Sequence, residues 1–594
     1  MNAGCDWPAT TRIPTDLNRS RCPMDVPEQI SEHLVVDSCR RLTGPSLVWR
    51  EPGAILDLLV SDMDLDRVIE CWYRHLNAVL EAIDWPEPKT THRCFENGCN
   101  LLLAAPIDQL YSAVQALETA WYLCASELLQ RDPDSPESLL AALRQQMADE
   151  QHPALIELEA AAANHQVDFL VDDEMVSLGQ GQGSQSFDID RLPAIADIDW
   201  SGIHDIPVAM ITGTNGKSTS VRLLDSMARA TGRVSGVTST DFVRVGDDLL
   251  DRGDYSGPGG ARLLLRDPRL EIGFLEVARG GILRRGLPLR RARVALVTNI
   301  AGDHLGQYGV NTIEAMTQTK FAVRRTLAED GILVTNADDA AITGYLTGES
   351  SHNLCWFSLD RSNELIVDQI NHQTACCFAD QGRLIYFDGN QEIDICAINE
   401  VPMTLQGAAV HNVSNALGAI AVAKAMGFEH EAIRAGLRNF NSDASDNPGR
   451  MNHFTLSSGA TVVLDFAHNE HGVSAIVTTL SRMPAEKRWV LFGSAGDRSE
   501  EHLRAIASAV CAISPSGVVI TEVEQYRRGR EAGEVSQILK QACLASGMHE
   551  EDILLANDPL SGVHTVVEKL GPKDTGLLLV LDQRDEIIDY LKSV

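Results

Sequence analysis

The residues best suited to chemistry are Gly213-Thr214-Asn215-Gly216-Lys217-Ser218-Thr219. They follow the apolar run Val208-Ala209-Met210-Ile211 and precede a helical stretch that begins near Ser220. A nucleoside triphosphate presents closely spaced negative oxygens that bulky neighbours would hold apart. Glycines let backbone N–H groups close around those oxygens, and a helix start adds partial positive charge. Lys217 can bridge the terminal phosphates, and the Ser218 hydroxyl can hold Mg2+. Gly213 and Gly216 stand three apart, closer than in the common phosphate loop. The heptad therefore predicts ATP and Mg2+ binding by residues 213 to 219.

Such a loop works only at the end of a strand, and the surrounding pattern supplies one. Short β-rich runs at 206–212, 272–277, 293–299 and 331–335 alternate with helical stretches, the signature of a parallel sheet covered by helices. A second set at 461–466, 488–493, 517–521 and 576–581 follows a break around 441–448. Residues 1–167 read as mostly helical. Val68, Ile69, Trp72, Leu76, Val79, Leu80 and Ile83 mark one buried helix face, and Pro86 and Pro88 end it. A second helix is predicted over 107–130, and a third after Ser135-Pro136. Residues 168–205 read as a connector. Its Leu178-Gly179-Gln180-Gly181-Gln182-Gly183 is glycine-rich, but no lysine or helix start follows, so a hairpin is expected there. The predicted fold is α/β: a helical N-terminal module (1–167), the connector (168–205), a P-loop parallel-sheet ATPase domain (206–447) and a Rossmann-like C-terminal domain (448–594).

Composition narrows the partners. Lys and Arg number 50 against 83 Asp and Glu, a formal charge of −33, which argues against nucleic acid and anionic membranes as general partners. Hydrophobic residues at 44% suffice for ordinary cores. No run approaches the ~20 apolar residues that span a bilayer, and Met1 to Pro23 has no apolar signal core, so a cytoplasmic location is expected. The 13 scattered cysteines fit a reducing compartment. His92, Cys94 and Cys99 approach a metal spacing but have no second Cys/His pair nearby.

Further motifs occur in a fixed order: Thr298-Asn299-Ile300-Ala301-Gly302-Asp303-His304, His411-Asn412-Val413-Ser414-Asn415-Ala416-Leu417, Asn447-Pro448-Gly449-Arg450, Asp465-Phe466-Ala467-His468-Asn469 and Gly493-Ser494-Ala495-Gly496-Asp497-Arg498. With the phosphate loop they resemble the Mur ligase family, ATP-dependent enzymes that join an amine to a carboxylate. Gly253-Asp254-Tyr255-Ser256-Gly257-Pro258 and Glu276-Val277-Ala278-Arg279-Gly280-Gly281 narrow the resemblance to the Mur-like half of cyanophycin synthetases. In those enzymes an ATP-grasp domain extends an aspartyl main chain, and the Mur-like half adds arginine to its side chains. Residues 168–205 are too few for an ATP-grasp domain, although Met175 to Gly183 resembles the opening of one, so one ligase activity is implied.

The resemblance assigns roles. Lys217 serves the phosphates, Ser218 and Glu276 a first Mg2+, and His304 a second metal. Lys320 stands where many Mur-type enzymes carry a carbamylated lysine that acts as an anionic metal ligand; an unmodified lysine is the alternative. Asn415, Arg450, Asp465 and His468 match positions that hold adenine, phosphate or ribose. Arg279, Arg284, Arg285, Arg528 and Arg530 are candidates for pairing with a carboxylate-rich substrate. Phe242, Phe466 and Glu470 depart from the family pattern and leave acceptor specificity open. The expected activity is amide ligation through an acyl phosphate, on a peptide or amino-acid acceptor with an amino acid such as arginine as amine. A glutamyl or folate-like substrate and a non-catalytic regulatory role are the alternatives. Self-association is implied by the resemblance alone.

Overall fold

The computed structural model describes residues 29–133, 135–303, 305–347 and 353–594. They form two compact units, one from residues 29–41 and 53–151, the other from 42–52 and 152–594.

The first unit corrects the expectation of a helical module. It contains a five-stranded sheet, in spatial order Gln29–Ser31, Leu34–Leu42, Gly53–Val60, Gly98–Ala104 and Thr90–Phe95. The helices Leu65–Ala82 and Leu110–Leu128 pack on it through Val68, Trp72, Leu76, Leu117 and Trp121 against Leu56, Leu58, Leu101 and Leu103. Six of the eight residues of Gly53–Val60 and six of the seven of Gly98–Ala104 are buried, so these strands lack the alternation that marks a half-exposed strand. The first helix was legible through its apolar face and the third through its Ser135-Pro136 start. The Asp64 carboxylate accepts the Asp66 N–H at 3.2 Å, and Ser135 caps the helix Pro136–Glu150, whose first residue is proline.

In the second unit, residues 169–188 form a three-stranded antiparallel sheet: Phe169–Val171, Met175–Leu178 and Gln185–Asp188. The glycine-rich loop between the last two strands spends its amides on the chain itself. Gln180 N–H donates to the His204 carbonyl (3.0 Å), Gln182 N–H to Leu270 (2.8 Å) and Gly183 N–H to Gln180 (3.0 Å). It is a packing turn and not an anion cradle.

An eleven-stranded sheet follows. Its parallel core runs, edge to edge, through Ser235–Thr238, Ile272–Glu276, Val208–Thr212, Ala292–Val297, Leu327–Asn336, Leu354–Ser358 and Cys376–Asp380. An antiparallel hairpin, Phe242–Val245 with Asp248–Arg252, flanks one side, and Arg383–Phe387 with Glu392–Ala397 the other. One face is covered by the helices Lys217–Ala230, Val410–Ala425 and His430–Asn439, the other by Pro258–Leu265, Ile313–Phe321, Ala340–Leu346 and Glu364–Asn371. From Val208–Thr212 the chain crosses to one side and later fills the other. That places a topological switch point at the carboxyl end of this strand, where open α/β sheets bind ligands.

A six-stranded sheet completes the unit: Asn452–Thr455, Thr461–Asp465, Thr575–Leu579, Arg488–Phe492, Gly517–Thr521 and Ile553–Ala556, all parallel except the first. The helices Glu470–Ser481, Glu500–Cys511 and Glu534–Ala545 cover one face, and Pro559–Lys569 and Arg584–Ser593 the other. Both sheets are those of the predicted α/β fold.

Candidate active site

The strand Val208–Thr212 is buried along its length and delivers the 213–219 loop to the switch point. Gly216 has φ +86°, a left-handed value that favours glycine, and caps the helix Lys217–Ala230. The Asn415 amide occupies the space that a side chain at 216 would need. The loop is braced by the strand end beside it. Thr214 N–H donates to the Asn299 carbonyl (2.9 Å) and Asn215 N–H to Asn299 Oδ1 (3.0 Å). The Thr298 hydroxyl and the Asn299 amide both donate to the Asn215 carbonyl, at 2.6 and 3.0 Å. The first-turn amides of the helix have no intrahelical acceptor and converge at its N-terminus, a ready anion site.

Two lysines enter this loop. Lys217 Nζ donates to the Thr214 carbonyl at 3.0 Å, and Lys320 Nζ, from the helix Ile313–Phe321, to the Gly213 carbonyl at 2.8 Å. Lys320 is 4% exposed. Burial, and next the charge of Lys217, hold its amine well below the usual lysine range, with Asp303 acting in the opposite sense.

Beside the loop lies an oxygen-rich corner. The Ser218 hydroxyl is 3.3 Å from the Thr240 hydroxyl, and Arg450 Nη2 donates to it at 3.4 Å. Thr240 N–H donates to Glu276 Oε2 at 3.3 Å, while Glu276 N–H donates to the Thr238 hydroxyl at 3.2 Å. Glu276 ends a wholly buried strand, and burial raises its carboxyl pKa against the pull of Lys217 and Arg450. Its Oε1 has no hydrogen-bond partner among the described residues. A buried carboxylate oxygen without a donor, next to a serine hydroxyl, is the donor set of a hard divalent cation. The residues fit a divalent cation.

The C-terminal sheet supplies the other wall. Asn469, the N-cap of Glu470–Ser481, exchanges amide hydrogen bonds with Asn215, each 3.2 Å, and its Nδ2 also donates to Asp303 Oδ2 at 3.2 Å. Asn215 Nδ2 lies 3.0 Å from His471 Nδ1. Asp303 pairs with Arg498 at 2.8 Å, and His468 Nε2 stands 3.6 Å away. The Arg450 guanidinium covers the Phe466 ring at 4.8 Å.

Most of the sequence-predicted residues converge here: 213–218, Glu276, Lys320, Asn415, Arg450 and His468. His304 lies outside the described residues. Thr219 turns away from the loop, and its hydroxyl accepts from Asn447 Nδ2 at 3.2 Å. Asp465 has both oxygens engaged by backbone, Met451 N–H at 2.8 Å and Ala467 N–H at 2.7 Å, so it fastens the start of the C-terminal sheet. Arg279 donates to Gln307 Oε1 at 2.6 Å, Arg528 pairs with Asp497, and Arg530 donates to the Gly496 and Arg498 carbonyls. Thr240 and Thr298 stand within stretches that resemble the family, but a threonine at a strand end has no spacing signal of its own, so neither was expected to touch the site. In the first unit, His92 Nδ1 is held by the Tyr73 hydroxyl at 2.9 Å. Cys71, His75 and Glu127 bring ligand atoms within 4.8 Å of one another. The Glu127 oxygens are nonetheless taken by Arg74 at 2.7 and 2.8 Å and by His75 at 2.9 Å.

Residues 211–423 match the Mur ligase middle domain and residues 449–579 the Mur ligase, glutamate ligase domain. Cyanophycin synthetase of Geminocystis herdmanii is 34% identical over 378 residues, 63% of this chain and 42% of that one. UDP-N-acetylmuramoyl-L-alanyl-D-glutamate--2,6-diaminopimelate ligase of Geobacillus kaustophilus is 23% identical over 360 residues, 57% of this chain and 69% of that one. Among solved structures, E. coli FolC in complex with DHPP and ADP aligns with a TM-score of 0.48 at 18% identity, covering 65% of this chain and 89% of that one. The chain spans about two fifths of the length of the cyanophycin synthetases it matches, 42% and 38% for two of them.

Proposed function

The chain is a member of the Mur ligase family by its middle and C-terminal domains, and from that premise we propose that it is an ATP- and Mg2+-dependent carboxylate–amine ligase acting through an acyl phosphate. The acceptor is a peptide or amino-acid carboxylate and the amine an amino acid such as arginine, as the likeness to cyanophycin synthetases suggests. The observation that carries the reading is the buried Glu276 carboxylate beside Ser218 at the mouth of the phosphate loop, whose Oε1 has no hydrogen-bond partner among the described residues.

A carboxylate is a poor electrophile. Transfer of the γ-phosphoryl group to it gives ADP and an acyl phosphate; attack by the neutral amine then forms the amide and expels phosphate, and the amine proton leaves to solvent. The loop amides and Lys217 hold the β- and γ-phosphates in line with the acceptor, which is most of what such a transfer requires. Mg2+ bound at Ser218 and Glu276 would neutralise charge on the phosphate oxygens. Arg450 brings a fixed positive charge to the same corner from the C-terminal domain, and closure of that domain would exclude water from the acyl phosphate. On the resemblance, His304 takes a second metal. Lys320 has the low-pKa amine that carbamylation needs, since only a neutral amine adds CO2. The carbamate nitrogen keeps one hydrogen, so a donor for the Gly213 carbonyl would remain after the modification.

The test is an ADP-release screen of aspartyl peptides against single amino acids. Release that requires both an acceptor and an amine, and that Lys217→Ala abolishes, is expected. ADP release that is identical in wild type and Lys217→Ala for every pair contradicts the assignment.

A further inference from the structure

The residue after Thr240 holds the far end of the chain. Asp241 accepts from Arg222 through Oδ2 and from Arg584 through Oδ1. Arg222 belongs to the helix behind the phosphate loop and its side chain is 1% exposed; Arg584 opens the last helix of the C-terminal sheet. Arg584 lies beyond the residues matched by the glutamate ligase domain, which end at 579. The stem of Arg584 crosses Gly449, whose φ is +71° and where a Cβ would stand 2.7 Å from Arg584 Cδ. Gly449 adjoins Arg450, which reaches Ser218. On the other side, Arg222 donates to Asn447 Oδ1 at 2.8 Å, and Phe242, a departure from the family pattern, lays its ring 5.0 Å from that guanidinium. Arg222, Arg450 and Arg584 together hold the Asp241 carboxyl down to about 2, so it is ionised throughout the working range.

We infer that Arg584 is a positioning residue, and that its ion pair with Asp241 latches the C-terminal domain against the strand end that carries Thr240. The inference rests on the ligase reading of the same site. Thr240 and Asp241 are consecutive, and their side chains serve different masters. One touches the Ser218–Glu276 corner; the other is gripped by the C-terminal helix. Seating Arg584 therefore sets the backbone that donates to Glu276. Arg222 keeps Asp241 in place from behind, so the central domain stays ordered without Arg584, whereas the corner loses its registration to the opposite domain.

The experiment compares wild type with Arg584→Ala, Arg584→Lys, Asp241→Asn and Arg584→Ala/Asp241→Asn, in full-length protein checked for folding by its thermal transition. One readout is independent of turnover: the distribution of distances between spin labels on the central and C-terminal sheets, with and without a non-hydrolysable ATP analogue and Mg2+. The latch predicts that the analogue narrows the distribution in wild type and Arg584→Lys but leaves it broad in Arg584→Ala, although that variant still binds the analogue. In turnover, kcat falls about tenfold or more in Arg584→Ala with KM for ATP within about twofold, and the double variant is no worse than Asp241→Asn alone. Narrowing in Arg584→Ala equal to wild type overturns the latch, as do kcat effects that multiply independently. If wild type shows no ligase turnover with any pair, the functional reading falls, while the distance measurement still decides the latch.

Discussion

At the scale of single residues, the site is defined by charges kept where folding alone would not put them. Glu276 is buried against its own preference to be solvated, and a cation would satisfy its carboxylate oxygen that has no donor among the described residues. Glu276→Gln removes that buried charge, so the thermal midpoint should hold or rise while Mg2+-dependent ATP turnover drops by roughly 10²–10³. Midpoint and activity falling together, as for an ordinary packing loss, would contradict the cation role. Asp168 offers a pH test remote from catalysis. Burial first, and next the Asp205 charge, push its carboxyl up to about 7, and Gln180 Nε2 donates to it at 2.5 Å. The folded chain then binds a proton that the unfolded chain releases, so Asp168 costs stability as pH rises from about 4 through about 7. Asp168→Asn should raise the thermal midpoint by several degrees at pH 8 relative to wild type and show no such gain at pH 4. Melting curves of both proteins across that range check the sign.

At the scale of elements, what could be read beforehand depended on how loudly each element ends. The strand before the phosphate loop, the strand ending at Glu276 and those beginning at Thr461 and Arg488 were visible as apolar runs followed by glycine or a chemical motif, and Gly517–Thr521 as an apolar run alone. Gly53–Val60 and Gly98–Ala104 were not. Burial on both faces removes alternation, and the helices beside them dominate the pattern. The short hairpin Phe242–Val245 with Asp248–Arg252 carries too little apolar surface to register, yet it shapes the loop that bears Thr240 and Asp241. Within the site, motif spacing revealed the residues of the loop and the corner. It did not reveal that Thr219 would be spent on Asn447, or Asp465 on backbone amides at the start of its own sheet. Gly216→Ala tests how the loop depends on its backbone. A left-handed alanine costs about 1–2 kcal/mol, and its methyl would displace Asn415. Nucleotide affinity should fall at least tenfold by calorimetry, with a modest loss of melting temperature; unchanged affinity would show that the loop does not need its left-handed turn.

At the scale of the whole molecule, two sheets in one unit share a single seam. The central sheet brings the phosphate loop, Glu276 and Lys320; the C-terminal sheet brings Arg450, His468, Asn469 and Arg584. Neither completes the site alone. In the proposed reaction this seam passes a phosphoryl group to a carboxylate. The direct measurement uses an acceptor whose carboxylate is labelled with oxygen-18, turned over with ATP, Mg2+ and the amine, followed by mass analysis of the products. An acyl phosphate predicts one labelled oxygen in the released phosphate and none in the nucleotide. Label in AMP, or phosphate released without label while amide accumulates, would contradict the account.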